Sequence, residues 1–311
     1  MIPTLDDLQL ARERLRSYLV PTPIEAAAGM SNLWLKLENA NKTHSFKCRG
    51  ALNALLAMSD DQRAKGVVTA SSGNHGQGMA YAARLLNVKA RIVMPEDTSR
   101  RKLSGVRRLG GEAILFGENY DAAEREAHRL ARETGAAYLS PYNDPLVVAG
   151  GGTVGLEILE QLPQVERVIV PVGGGGLISG IAIAIRAAKP EAEIIGVNPL
   201  ASPDMYNIFY QLEHAIDQET LADALPGAIE ENSITLELVS RLVDRIVLVS
   251  EDDIVRGMQF MAFDQGWIAE GGAVVGVAAV ENGSVELDRP TVVVVSGGNV
   301  DADILRDVLC V

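Results

Sequence analysis

Cysteine is almost missing from this 311-residue chain, whose only two, Cys48 and Cys310, are far apart in sequence. A disulfide framework and a paired-cysteine metal cluster are therefore not expected, and a reducing compartment suits the chain. Positive charge is also scarce. Lys and Arg number 28 against 41 Asp and Glu, a net charge of −13, which disfavours nucleic acid and anionic membrane as partners. The opening stretch MIPTLDDLQLARERLRSYLV lacks a basic-then-apolar secretory pattern, so cytoplasmic residence is expected. Neither a His-Glu-x-x-His pair nor a Gly-x-Ser-x-Gly elbow occurs, which removes the usual signatures of zinc hydrolysis and of serine hydrolases. One uncharged run, Val168 to Ile185, is long enough to raise the question of a membrane span. Pro171 and four consecutive glycines divide it into a strand, a loop and the start of a helix, so no transmembrane segment is predicted.

What is abundant is alternation. Apolar content of 47% allows a large core. Strand-like GVVTA, ARIVM, EAILF and AAYLS alternate with helical patterns from Asn74, around Ser99 to Leu109, and over Tyr120 to Glu133. This is the mark of an α/β protein with mostly parallel sheets. Residues 66–143 read as a small inserted lobe with its own open sheet. Residues 1–65 and 144–311, with strands LWLKLE, RVIVPV, EIIGV, RIVLV and TVVVVS, read as one larger lobe. The cleft between two such lobes is the expected ligand site.

Four segments carry chemistry. Gly173, Gly174, Gly175 and Gly176 follow the strand RVIVPV and precede a helix, so consecutive backbone N–H groups can turn toward one anion at a helix N-terminus. A dinucleotide fingerprint is not met, because Ser179 stands where its third glycine belongs and the next strand leads into Asn198 rather than an acid. Lys47, beside Phe46, opens an apolar-periodic helix in a segment poor in other charges. An amine desolvated near a phosphate has a lowered pKa and can form an imine with an aldehyde cofactor. The turn Ser71, Ser72, Gly73, Asn74 and His75 joins a strand end to a helix start and offers hydroxyl, amide and backbone donors for a substrate carboxylate. The strand TVVVVS closes on Ser296, Gly297, Gly298 and Asn299.

Together SFKCRGA, SSGNHGQG, GGGGLISG and VVSGGN, in this order, resemble the fold-type II pyridoxal-phosphate enzymes, nearest the serine/threonine dehydratases and serine racemases. The resemblance spans nearly the whole chain. It implies a tryptophan synthase β-like arrangement of two lobes with the active site between them, and a homodimer acting on a small amino acid. Lys47 would carry pyridoxal 5′-phosphate, Phe46 would back the ring, and Asn74 would bond the ring hydroxyl. Gly173 to Gly176 would hold the phosphate, and Ser296 would face the pyridine nitrogen. The activity implied is β-elimination from serine, threonine or 3-hydroxyaspartate, giving a keto acid and ammonia. β-Replacement of the cysteine synthase type is the alternative on the same fold.

Finer features modify this picture. Ser296 is neutral, so it supports a protonated ring nitrogen less than a carboxylate does, which favours expelling the β-hydroxyl. Ser72 stands where racemase-like relatives carry a second acid/base, and so permits racemisation. His44 occupies a position that is commonly glycine and is expected near the substrate side chain. Asn198, Ser202 and Asp204 fall where racemase-like members bind Mg²⁺ or Ca²⁺, but Asn198 replaces a Glu, which should weaken such a site. The segment ADAL, Ala222 to Leu225, keeps Asp223 but lacks the following glycine usual in relatives.

Overall fold

The computed structural model describes residues 2–71, 73–216 and 219–310. The strands are β1 (Ile24–Ala26), β2 (Leu33–Leu37), β3 (Val67–Ala70), β4 (Ala90–Met94), β5 (Glu112–Leu115), β6 (Ala137–Tyr138), β7 (Arg167–Pro171), β8 (Glu193–Pro199), β9 (Arg245–Val249) and β10 (Thr291–Val295). They form a six-stranded sheet in the order β1-β2-β10-β7-β8-β9 and a four-stranded sheet in the order β5-β4-β3-β6. Every pairing is parallel except β1 with β2. The expected α/β architecture with two mostly parallel sheets is therefore present.

The sequence accounts for the central layer of the larger sheet. β10 reads TVVVV, and all five residues are buried, as suits a β-branched run covered on both faces. One cover is the helix Gly271–Glu281, GGAVVGVAAVE, apolar on every side and buried from Gly271 through Val280. The helix Gly176–Ala188 contributes to a second core with β7 and β8. Among the described residues no helix is long and apolar enough to cross a membrane.

Lys47 opens the helix Lys47–Ala57, and close approaches lock this helix in place. A Cβ on Gly78 would lie 2.8 Å from the Lys47 carbonyl carbon, so the helix Asn74–Leu85 touches the Lys47 backbone only because glycine stands there. On the other side, a Cβ on Gly150 of the helix Pro145–Gln161 would meet the Gly50 Cα at 2.6 Å. Through these contacts the Lys47 helix joins a core that also contains Val67, Ile92 and Met94 of the smaller sheet.

Beneath Lys47 sits a buried charge network that neither composition nor periodicity announced. The Arg49 guanidinium grips Glu38 with Nε to Oε2 at 2.8 Å and Nη2 to Oε1 at 2.8 Å. It also reaches Glu157 with Nη1 to Oε1 at 2.5 Å, while Lys36 Nζ donates to Glu157 Oε2 at 2.5 Å. Two cations and two carboxylates balance, and they tie the Lys47 helix to β2 and to the helix Pro145–Gln161. Removing one member of such a set strands the others without water. Arg49→Met is expected to cost about 3–5 kcal/mol, read as a lower urea midpoint with unchanged slope. A midpoint equal to that of the parent would show the network to be dispensable.

Candidate active site

Strand ends and helix starts converge on one cleft of about 1060 Å³, open mouth included. Its wall contains Phe46 and Lys47, Ser71, Gly73, Asn74 and His75, Gly173 to Gly176, and Ser296, so all four chemistry-bearing segments meet there. The pieces are sewn together by the backbone. Phe46 N–H donates to the Ser296 carbonyl at 3.1 Å, and Ser45 bridges Gly297. Ser72 lies outside the described residues.

The Lys47 amine projects into this cleft with its Nζ 5.0 Å from the centre of the Phe46 ring. Its hydrogen bond is to a neutral group, the Pro141 carbonyl at 2.9 Å. Burial pushes its pKa down to about 8, although the more distant Glu270 acts in the opposite direction. A half-buried amine of this kind loses its proton more readily than an exposed lysine and is a better nucleophile at mildly alkaline pH.

Opposite the amine, Gly175 adopts a left-handed φ of +83° as the cap of the helix Gly176–Ala188. Among the described residues none of the four N–H groups from Gly173 to Gly176 meets an acceptor. A Cβ at Gly174 would fall 2.4 Å from the Tyr142 ring, so side chains are excluded by packing as well as by conformation. Unpartnered donors at a helix start form an anion nest.

In the turn before the helix Asn74–Leu85 the roles divide. Ser71 Oγ accepts from Gly73 N at 3.1 Å and from Gly76 N at 2.8 Å, so this hydroxyl shapes the turn. Among the described residues the N–H groups of Asn74 and His75 have no acceptor. These donors suit a carboxylate. The His75 side chain is in a setting that makes it a weak base. It is buried, and burial followed by the Lys47 charge pushes its pKa down to about 3.

Two expectations find no support in the structure. His44 is exposed and is not part of the cleft wall. Its backbone has φ +53°, which explains the glycine preference at this position, and its carbonyl accepts from Gly298 N at 2.9 Å. The proposed cation ligands have other work. Asn198 Nδ2 donates to the Val172 carbonyl at 2.7 Å, Asn198 Oδ1 accepts from Tyr206 N at 3.0 Å, and Ser202 donates to Asp204 at 2.5 Å. Among the described residues no three His, Cys, Asp or Glu side chains converge as metal ligands. Nothing here supports Mg²⁺ or Ca²⁺ at this place.

The wall also holds residues that sequence reading overlooked: Glu270, Lys102, Tyr120 and Tyr142. Glu270 is buried just ahead of the helix Gly271–Glu281, and its Oε1 accepts from Asn74 Nδ2 at 2.5 Å. Asn74 Oδ1 in turn accepts from Asn299 at 2.8 Å, so Glu270 and Asn299 together fix the Asn74 amide. The other Glu270 oxygen, Oε2, is buried without a partner among the described residues. A signal was available, since Glu270 is the lone charge between Asp264 and Glu281.

Burial, reinforced by Asp223, pushes the Glu270 pKa up from 4.5 to about 7. An acid whose folded pKa is raised destabilises the fold once ionised, so its contribution is favourable below the unfolded value and is lost as pH rises through the folded one. Glu270→Gln removes that loss. In the cofactor-free protein it is expected to exceed the parent in stability by roughly 2–3 kcal/mol at pH 8, with most of the gain gone at pH 5. Denaturant unfolding at the two pH values checks this, and a gain independent of pH contradicts it.

Comparison with known proteins agrees with this geometry. Residues 15–297 match the family described as pyridoxal-phosphate dependent enzyme. The chain is 40% identical over 313 positions to the L-threonine ammonia-lyase of Thermotoga maritima, covering 98% of this chain and 78% of that protein. It is 40% identical to a catabolic L-threonine dehydratase of Staphylococcus aureus, covering 96% of this chain and 90% of that one. The solved structure of maize serine racemase superposes with a TM-score of 0.92 at 32% identity, over 99% of this chain and 97% of that one.

Proposed function

This chain belongs to the pyridoxal-phosphate dependent enzymes, and on that premise we propose that it is a hydroxy-amino-acid ammonia-lyase converting a small β-hydroxy amino acid to a keto acid and ammonia. The observation that carries the proposal is the half-buried Lys47 amine and an unpartnered nest of glycine amides on the wall of one cleft.

The residues present fit the cofactor. Gly173 to Gly176 would hold its phosphate, Phe46 its ring, Asn74 its ring hydroxyl and Ser296 its ring nitrogen, with Lys47 the amine that carries it. When bound, the cofactor supplies an electron sink for negative charge developing at the substrate Cα. The N–H groups of Asn74 and His75 orient the substrate carboxylate at the helix start. The Lys47 amine is the group that would take the Cα proton and return it to the departing β-hydroxyl. The β-hydroxyl leaves as water, and hydrolysis of the resulting enamine releases a keto acid and ammonia. Ser296 presents a neutral hydroxyl rather than a carboxylate, which favours rapid loss of the β-substituent over a long-lived carbanion.

Ser72 is the acid/base proposed for the opposite face, and through it racemisation accompanies elimination. Cytoplasmic residence and a homodimer belong to the same proposal. The first is supported by Cys48 and Cys310, both free thiols, and the second by exposed apolar side chains such as Val20 and Phe263, which offer area for a second copy to cover.

With cofactor supplied, the protein is expected to release keto acid and ammonia in equal amounts from L-serine or L-threonine. Lys47→Ala should lower this rate by at least about a thousandfold, as loss of a covalent catalytic group does. A sulfide-dependent product from an activated serine, with no keto acid, would instead favour β-replacement.

A further inference from the structure

The cleft wall contains two lysines among its described residues, Lys47 and Lys102. Lys102 comes from the helix Arg100–Arg108 and lies against Gly73. Its stem rests on Gly73, where a Cβ would approach the Lys102 Cδ to 3.2 Å. Left alone, that ammonium would be a ready receptor for an anionic substrate side chain. It is not left alone. Lys102 Nζ is ion-paired to Asp223, which reaches it across the cleft from the segment that also supplies Ala224, Leu225, Pro226 and Ala228 to the wall. The Lys102 side chain is 12% exposed and that of Asp223 38%, so the pair sits at the rim rather than in bulk water.

Asp223 is held to this task. Just before it, Thr220 Oγ1 donates to Glu251 Oε1 at 2.6 Å and Leu221 N donates to Glu251 Oε2 at 2.8 Å. Ala222 is fully buried, and Leu225 N closes a turn onto the Ala222 carbonyl at 2.9 Å. The carboxylate is thus presented on a fixed turn, and the Glu270 carboxyl stands nearby as a second acidic group.

We infer that Asp223 is a specificity-determining residue: by occupying Lys102 it cancels the positive charge this lysine brings to the cleft wall, so that the cleft takes neutral β-hydroxy amino acids and rejects those with a second carboxylate. This rests on the ammonia-lyase reading and narrows its substrate class to the serine and threonine type, against 3-hydroxyaspartate. An incoming β-carboxylate would have to displace Asp223, whose like charge selects against it.

The test compares the parent, Asp223→Asn and the double variant Lys102→Met with Asp223→Asn, each loaded with cofactor. Keto acid release is measured from L-serine, L-threonine and 3-hydroxyaspartate, and succinate binding by calorimetry serves as a readout independent of turnover. The parent should prefer the neutral substrates. Asp223→Asn should shift the ratio of kcat/KM values toward 3-hydroxyaspartate by about tenfold or more, the size of an ordinary coupling between contacting groups, and should gain succinate binding. The double variant should lose both gains. Asp223→Ser replaces the first variant if that one does not fold. A parent that handles 3-hydroxyaspartate as well as serine, or an unshifted ratio in the single variant, overturns the inference. If the parent releases no keto acid from any of the three, the ammonia-lyase reading fails, and the succinate titration still decides whether Asp223 masks Lys102.

Discussion

A lysine ammonium taken out of water must be paired, neutralised or converted to something else, because an isolated buried charge is among the most expensive things a fold can contain. Two lysines of this chain meet that demand in different ways. Lys36 is buried against Glu157 at 2.5 Å and the Thr22 carbonyl at 2.8 Å, and it serves the scaffold. Lys47 has a carbonyl and an aromatic ring for company, with its pKa pushed down to about 8. An amine left in that condition, facing unpartnered N–H groups across a cleft, is prepared for covalent chemistry with an anionic aldehyde.

The scaffold makes this affordable by placing every participant at the end of a rigid element. Ser71, Gly173 and Ser296 follow the carboxyl ends of β3, β7 and β10, which is where parallel sheets gather their ligands. Lys47, Asn74 and Gly176 stand at helix starts, where amide donors point outward. The Arg49 network anchors the Lys47 helix from below, and Gly50, Gly78 and Gly150 let two helices press against it. Charge at the rim is then managed by side chains from both sides of the cleft.

Most of the larger elements were legible because their cause is local. TVVVV, RVIVP and the glycine run announce a buried strand, another strand and a turn without reference to distant residues. The same holds for Lys47, whose desolvation follows from the apolar helix it opens. Features set by partners far along the chain were not legible. Glu270 bonds Asn74 and Lys102 pairs with Asp223, and no spacing rule connects either couple. The left-handed backbone at His44 is likewise not revealed by its residue type. Nor was it legible that both ends of the Asn198 amide fasten the chain between Val172 and Tyr206.

The covalent claim about Lys47 is tested most directly by reducing the cofactor-supplemented protein with borohydride, digesting it and mapping the adduct by mass spectrometry. A single phosphopyridoxyl group on the peptide containing Lys47, missing when that residue is alanine, is the predicted result. An adduct on a different lysine, or none on a protein that retains its native fold, would contradict the account.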